Sequence, residues 1–301
     1  MSGNGRLILT LLFALCVLDP ACEAFTNLSK SSLPVAAPWA ENIASSIAQV
    51  VGAGAWLAIW SNLAKYGMID PKVSRKIVHC GSGPLFLLTW PLFSSSHTAP
   101  LLASIGLSVQ SAADSDELPA VPTINALRLA GEEEGRGESD GRRRRDSGLV
   151  TAISRSGRSE EVMQGPLIYT LVLLWGVVGG WQQAMSITAI TQMAAGDGLA
   201  DIVGRRWGVV KWPWSDSKSI AGSLGFVVGA SVVMMAELLW FNAFGLLSFK
   251  GTEVYDKVIL ISLLCAAVEL IPLDKVLPGR LGDDNVTVPA VAAVLALLLL
   301  R

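Results

Sequence analysis

Apolar runs separated by short polar breaks recur along most of the chain, and few keep a clean polar face at helical spacing. Helices that are hydrophobic all round are buried in protein or lipid rather than in water. The runs fall at about Ile43–Leu63, Ile77–Phe93, His97–Leu107, Leu118–Leu129, Pro166–Gly180, Ala184–Val203, Ile220–Phe241, Val258–Ile271 and Val286–Leu300. Ser108–Glu117 is polar and splits what reads as one span, His97 to Leu129. Several runs are shorter than the ~20 residues a bilayer needs, so the pattern predicts an all-α, polytopic transmembrane bundle of about seven or eight spans. Trp56 and Trp60 near the end of the first run suit an interface.

Composition agrees. The 301 residues are 51% hydrophobic and only 16% charged, with mean hydropathy +0.50, which excludes an ordinary water-soluble domain. Four cysteines without a C-x-x-C pair give no disulfide framework or zinc site. Arg6 followed by the short apolar run Leu7–Leu18 reads as a signal peptide, residues 1–24, and the hydroxyl-rich, acid-free stretch after it as a transit-like leader, residues 25–41. The membrane domain is then 42–301. The charged block at 131–150 is expected to be a disordered loop within it, a solvated segment and not a nucleic-acid site.

Net charge, −2, says little, but its distribution gives topology. Alternate loops carry 17 Lys or Arg, against two in the loops between them. The positive-inside bias therefore places the stretches around Arg75, Arg158, Arg205 and Asp283 on one side of the membrane.

Chemistry concentrates in Ala195–Ser223, AGDGLADIVGRRWGVVKWPWSDSKSIAGS. On a helix, Asp197 and Asp201 share a face. Two carboxylates so placed at the edge of hydrocarbon repel and resist desolvation, so a cation between them is expected. Mg²⁺ suits them, because it takes one or two carboxylates and completes its shell with water and phosphate. Gly198 and Gly204 (with Gly196) would let a nucleotide approach the backbone. Arg205, Arg206, Lys211 and Lys218 would offset phosphate charge. Lys218-Ser219 followed by Gly222-Ser223 reads as a phosphate loop entering a helix, although the Walker spacing is absent.

GDGLADIVGRRWG followed by KSIAGS resembles the signature of the polyprenol kinase family, which includes dolichol, phytol and farnesol kinases. SRKIVHCGSGPLFLLTWPLFS at Ser74–Ser94 is similar to the phytol kinase branch, and SRSGRSEEVMQGPLIY at Ser154–Tyr169 and GDDNVTVP at Gly282–Pro289 also fit. The resemblance implies a membrane kinase that transfers the γ-phosphate of CTP, or another nucleoside triphosphate, to phytol. Phytyl phosphate for tocopherol synthesis would result, in a plastid membrane or alternatively the endoplasmic reticulum. Asp197 and Asp201 are then the metal ligands, and Lys218, Arg205 and Arg206 the phosphate partners. Arg75, Lys76, Arg158, Glu161, Ser219, Gly222 and Ser223 are further nucleotide contacts. Glu269, inside an apolar run, is expected to join Asp283, Asp284 and Asn285 as a second acidic cluster. His79 and Asp284 are alternatives for the general base. Other readings are a farnesol, geranylgeraniol or dolichol kinase, a CTP-dependent lipid cytidylyltransferase, or, more distantly, an ion-coupled transporter. Protein partners are not indicated.

Overall fold

The computed structural model describes residues 37–105, 159–215, 217–249, 251–273 and 282–300, with the side chains of 159–167, 251 and 252 left aside. The signal segment, most of the leader, the insert at 108–117, the loop at 131–150 and Arg158 lie outside these residues.

The described residues are helical, and the only β pairing among them is an isolated bridge between Lys211 and Ser219. Eight α-helices follow in order: α1 Pro38–Lys65, α2 Pro71–Thr89, α3 Ser159–Gly180, α4 Ala184–Thr191, α5 Asp197–Trp207, α6 Ile220–Ala243, α7 Gly251–Glu269 and α8 Asp284–Leu299. A 3₁₀ turn, Trp90–Leu92, ends α2, and a π turn, Gln192–Gly196, joins α4 to α5. α1 begins at Pro38, inside the stretch read as leader.

Local chemistry sets the boundaries. Pro71 occupies the first turn of α2, while the Asp70 side chain accepts from Lys72 N at 2.8 Å. Ser219 caps α6 through Gly222 N at 3.1 Å, and Asp283 caps α8 through Asn285 N at 2.8 Å. α1 stops at Gly67 (φ +68), where Met68 N reaches Leu63 O and Gly67 N reaches Ala64 O, both at 3.0 Å. This left-handed ending suits a residue without a Cβ.

α1 is inverted relative to a helix in water. Asn42, Ser45 and Gln49 are its buried residues, at 0%, 5% and 2% exposure, while Ile43, Ile47 and Val51 stand outward. The polar stripe bonds to the α2 end and the segment after it: Asn42 Nδ2 to Ser96 Oγ at 2.8 Å, Ser45 Oγ to Leu92 O at 2.7 Å and Gln49 Nε2 to Ala103 O at 3.2 Å. α6 likewise exposes Leu224, Val228, Val232 and Leu239 while burying Phe226, Ala230, Met234, Leu238 and Phe241. Apolar side chains outside and polar ones inside fit a hydrocarbon solvent. Among the described residues two helices, α1 and α6, are long and apolar enough to cross a membrane. At 1.5 Å per residue they measure roughly 42 and 36 Å, against about 30 Å of hydrocarbon. α2, α3, α4, α6, α7 and α8 enclose the main core around Phe86, Trp90, Ile190, Phe226 and Phe241.

Candidate functional site

The chemistry-bearing residues meet at one end of this bundle. α2 brings Lys76 one turn and a half in from its capped start, and its ammonium donates to Asp197 Oδ2 at 2.9 Å, 121 residues away. Asp201, a turn further along α5, takes Arg205 Nε at 2.8 Å. Lys218, just before α6, donates to Glu269 Oε1 at the end of α7 at 2.6 Å and to Asp284 Oδ2 at the start of α8 at 2.8 Å. Four carboxylates thus share three cations in direct contact.

The approach that makes this possible depends on missing side chains. A Cβ on Gly198 would stand 2.0 Å from Cys80 Cβ, so α5 and α2 touch here backbone to side chain. Gly204 and Gly222 face each other across α5 and α6, and a Cβ on Gly222 would meet Ala200 O at 3.0 Å. The sequence suggested that Gly196, Gly198 and Gly204 leave room for a nucleotide. In the structure Phe226, Cys80 and the Ser219–Gly222 turn fill those spaces, because helix packing uses them.

Electrostatics follows from burial. Lys218 is driven down by burial, but the Glu269 charge and the bonds to Asp284 and Glu269 outweigh this and hold it above the ordinary lysine value. Burial pushes the Asp284 carboxyl up; the Lys218 bond opposes this, and the nearby Asp197 and Asp283 charges reinforce it.

The expected site residues divide clearly. Lys76, Asp197, Lys218, Glu269 and Asp284 form the buried and half-buried centre. Arg205 is at the rim, and Arg206 is exposed with its guanidinium 5.7 Å from the Trp207 ring. Arg75 is exposed on α2. The His79 ring lies 4.3 Å from that of Tyr169, whose hydroxyl donates to His79 O at 3.1 Å. Ser219 is spent on its cap, and Ser223 Oγ accepts from Trp212 Nε1 at 3.0 Å. Lys211 bonds Ser217 O at 3.2 Å, and Asp283 Oδ1 accepts from both nitrogens of Asn285. Glu161 belongs to α3. The expected cation between Asp197 and Asp201 has a different counterpart here: each carboxylate has its own basic partner.

Sequence reasoning missed one group. Glu237, in the middle of α6's apolar run, is 1% exposed and contacts Thr191 at the end of α4, beside buried Gln192 and Ser262. An acid inside hydrocarbon-length sequence was the available signal.

Can these residues hold a metal? Among the described residues no three His, Cys, Asp or Glu side chains are grouped as a ligand set. Mg²⁺ needs only one or two carboxylates beside phosphate and water, and Asp197 and Asp201 are hard oxygen donors, 30% and 24% exposed. The donor chemistry fits.

Fold and site together define an all-helical protein with outward-facing apolar helices and one charged centre at an end of the bundle. Comparison with known proteins narrows this class. The chain is 33% identical to the probable chloroplastic phytol kinase of Zea mays over 89% of its length and 81% of that protein's. It is 32% identical to chloroplastic phytol kinase 1 of Arabidopsis thaliana, covering 85% of this chain and 75% of the relative. The chloroplastic farnesol kinase of Arabidopsis thaliana is also 32% identical, over 91% and 82%. The chain belongs to this family of phytol and farnesol kinases. No protein-family model matches the chain, and no solved structure matches it.

Proposed function

We propose that this chain is an integral membrane kinase that moves the γ-phosphoryl group of CTP, or another nucleoside triphosphate, to a long-chain isoprenoid alcohol, phytol first. The observation that carries this is the meeting of Lys76, Asp197, Lys218, Glu269 and Asp284, from segments far apart in sequence, at one end of an apolar bundle. Membership of the kinase family supports the same reading.

Phosphoryl transfer asks a protein chiefly for positioning and charge neutralisation. Asp197 and Asp201 would hold Mg²⁺, which when bound neutralises charge on the phosphate oxygens. Lys76 and Arg205 now balance these carboxylates, and would turn toward the phosphates as nucleotide binds. Lys218, held cationic by two carboxylates, keeps a positive charge beside the transferred group. Asp284 is our choice for the base that takes the alcohol proton, because it lies in the charged centre beside Lys218, with its carboxyl raised by burial. His79 is the alternative. Some seven or eight passes in a plastid membrane, with the isoprenoid tail among the helices and its hydroxyl at the charged end, complete the reading. Its product would serve tocopherol synthesis.

Membranes carrying the protein are incubated with Mg²⁺, γ-labelled CTP or ATP, and phytol, geranylgeraniol or farnesol. Label in the prenyl phosphate, lost in Asp197→Asn, is the expected result. Folded protein that labels none of the three alcohols with either donor overturns the proposal, and release of pyrophosphate instead of CDP identifies a cytidylyltransferase.

A further inference from the structure

Residues 184–207 form one helical rod interrupted by the π turn Gln192–Gly196, and Asp197 is the first residue beyond it. A π turn carries one more residue than an α turn, so everything after it is set back by about 100° relative to an unbroken α-helix. That rotation presents Asp197 to Lys76 and Gly198 to Cys80. An unbroken helix would turn both away from α2.

A wide turn is intrinsically uncommon, so neighbours must hold it. Thr191, at its mouth, contacts Glu237 of α6. Gln192, its first residue, donates Nε2 to Ser262 Oγ of α7 at 2.9 Å and lies 3.4 Å from Met234 Sδ of α6. Gly196, its last, packs closely against the end of the Phe226 ring, where a Cβ would stand 2.6 Å from Cζ. Thr191, Gln192 and Ser262 are at 0% exposure and Glu237 at 1%.

Proton counting shows how Glu237 works. Thr191 Oγ1 also lies 2.8 Å from Ile187 O, the usual back-bond of a helical threonine. A hydroxyl has one proton, and a carbonyl has none to give. Both contacts are satisfied when Thr191 donates to Ile187 and Glu237, as the neutral acid, donates to Thr191. Among the described residues Glu237 has no ion-pair partner within 4.0 Å, consistent with a neutral side chain.

We propose that Glu237, assisted by Gln192, is a positioning residue that clamps the π turn and so sets the rotation of Asp197 toward the reacting phosphates. The role rests on the assignment of Asp197 to the metal site given above. It needs a hydrogen-bond donor at 237 and no charge.

Two readouts test it. In full-length protein carrying Lys76→Cys, Asp197→Cys and Cys80→Ser, a short bifunctional thiol reagent joins positions 76 and 197, scored by peptide mass analysis. Linking persists with Glu237→Gln and falls to background with Glu237→Leu. In otherwise native protein, Glu237→Gln, whose amide can donate to Thr191, keeps the parental rate and Mg²⁺ requirement. Glu237→Leu loses up to about 100-fold in kcat, the effect of a misplacement near 1 Å. It raises the Mg²⁺ needed for half-maximal rate and leaves KM for the alcohol unchanged. Should Glu237→Leu fail to insert, Thr191→Val, which keeps the shape and removes the hydroxyl, is read in its place. The proposal is overturned if Glu237→Gln is as inactive as Glu237→Leu, or if linking and Mg²⁺ requirement ignore residue 237. A parent protein that phosphorylates no alcohol, while linking still follows residue 237, sinks the kinase reading and leaves the clamp standing.

Discussion

Adding one methyl group at Gly198 should separate the two halves of the centre. In Gly198→Ala the new Cβ would stand 2.0 Å from Cys80 Cβ and 3.3 Å from Cys80 Cα. Carbon contacts settle near 3.5–4.0 Å, so α2 and α5 must part by roughly 1.5 Å. The Lys76–Asp197 bond, 2.9 Å now, does not survive such a shift. Overpacking of this kind costs about 1–3 kcal/mol, and a 1 Å misplacement of catalytic groups can cost about 100-fold in rate. Thermal denaturation in detergent and the prenyl phosphate assay would read both effects. Gly198→Ala with Cys80→Gly should recover most of the rate, at the ~0.5–1 kcal/mol that glycine costs within a helix. Gly52→Ala and Gly54→Ala are the controls, since a Cβ at either meets nothing within 4 Å. They should leave activity intact. The packing argument fails if Gly198→Ala matches the parent, or if Gly52→Ala is equally damaging.

Ser219→Ala removes the cap of α6 and should lower stability by about 1 kcal/mol in thermal melts, with Ser219→Asn retaining most of it. Asn42→Ala leaves Ser94 N, now 2.8 Å from Asn42 Oδ1, without its acceptor; about 1–3 kcal/mol should be lost in denaturation with KM for the alcohol unchanged. The Asp284 carboxyl is raised in the fold above its ordinary 3.8, so the folded state holds its proton longer than the unfolded chain. In metal-free detergent its contribution to stability is therefore greatest in acid and declines as pH climbs from about 4 through the raised value. Asp284→Asn should flatten that part of the pH–stability curve. Lys218 behaves oppositely in range: its stabilisation is complete below its ordinary 10.5 and disappears only as pH rises through the higher folded value. Lys218→Met should accordingly be destabilised at every neutral pH, and a variant as stable as the parent at pH 7 would contradict the pairing.

Several elements were legible before any coordinates. The runs Ile43–Leu63 and Ile220–Phe241 lie within α1 and α6, which among the described residues are the two helices long and apolar enough to span. Ser219 before α6, Pro71 after Asp70 at α2 and Gly67 past α1 were boundary signals that the reading of the sequence did not use. Gathering of Glu269 with Asp284 was also foreseen, since an acid in an apolar run must find a partner. The partner itself was not. Lys218 read as a phosphate ligand, and nothing in its neighbourhood of sequence says that it bridges α7 and α8. The glycines carry a related ambiguity: a missing side chain signals close approach, but not of what.

Sequence alone determined the all-helical class, the apolar exterior and the clustering of charge toward one end, because hydropathy and charge are properties of neighbouring residues. Tertiary structure decided the pairings Lys76–Asp197 and Lys218–Glu269–Asp284, the inward polar stripe of α1, and the π turn that aims Asp197. These depend on which helices touch and on a hydrogen-bond shift of one residue, and local residue patterns record neither.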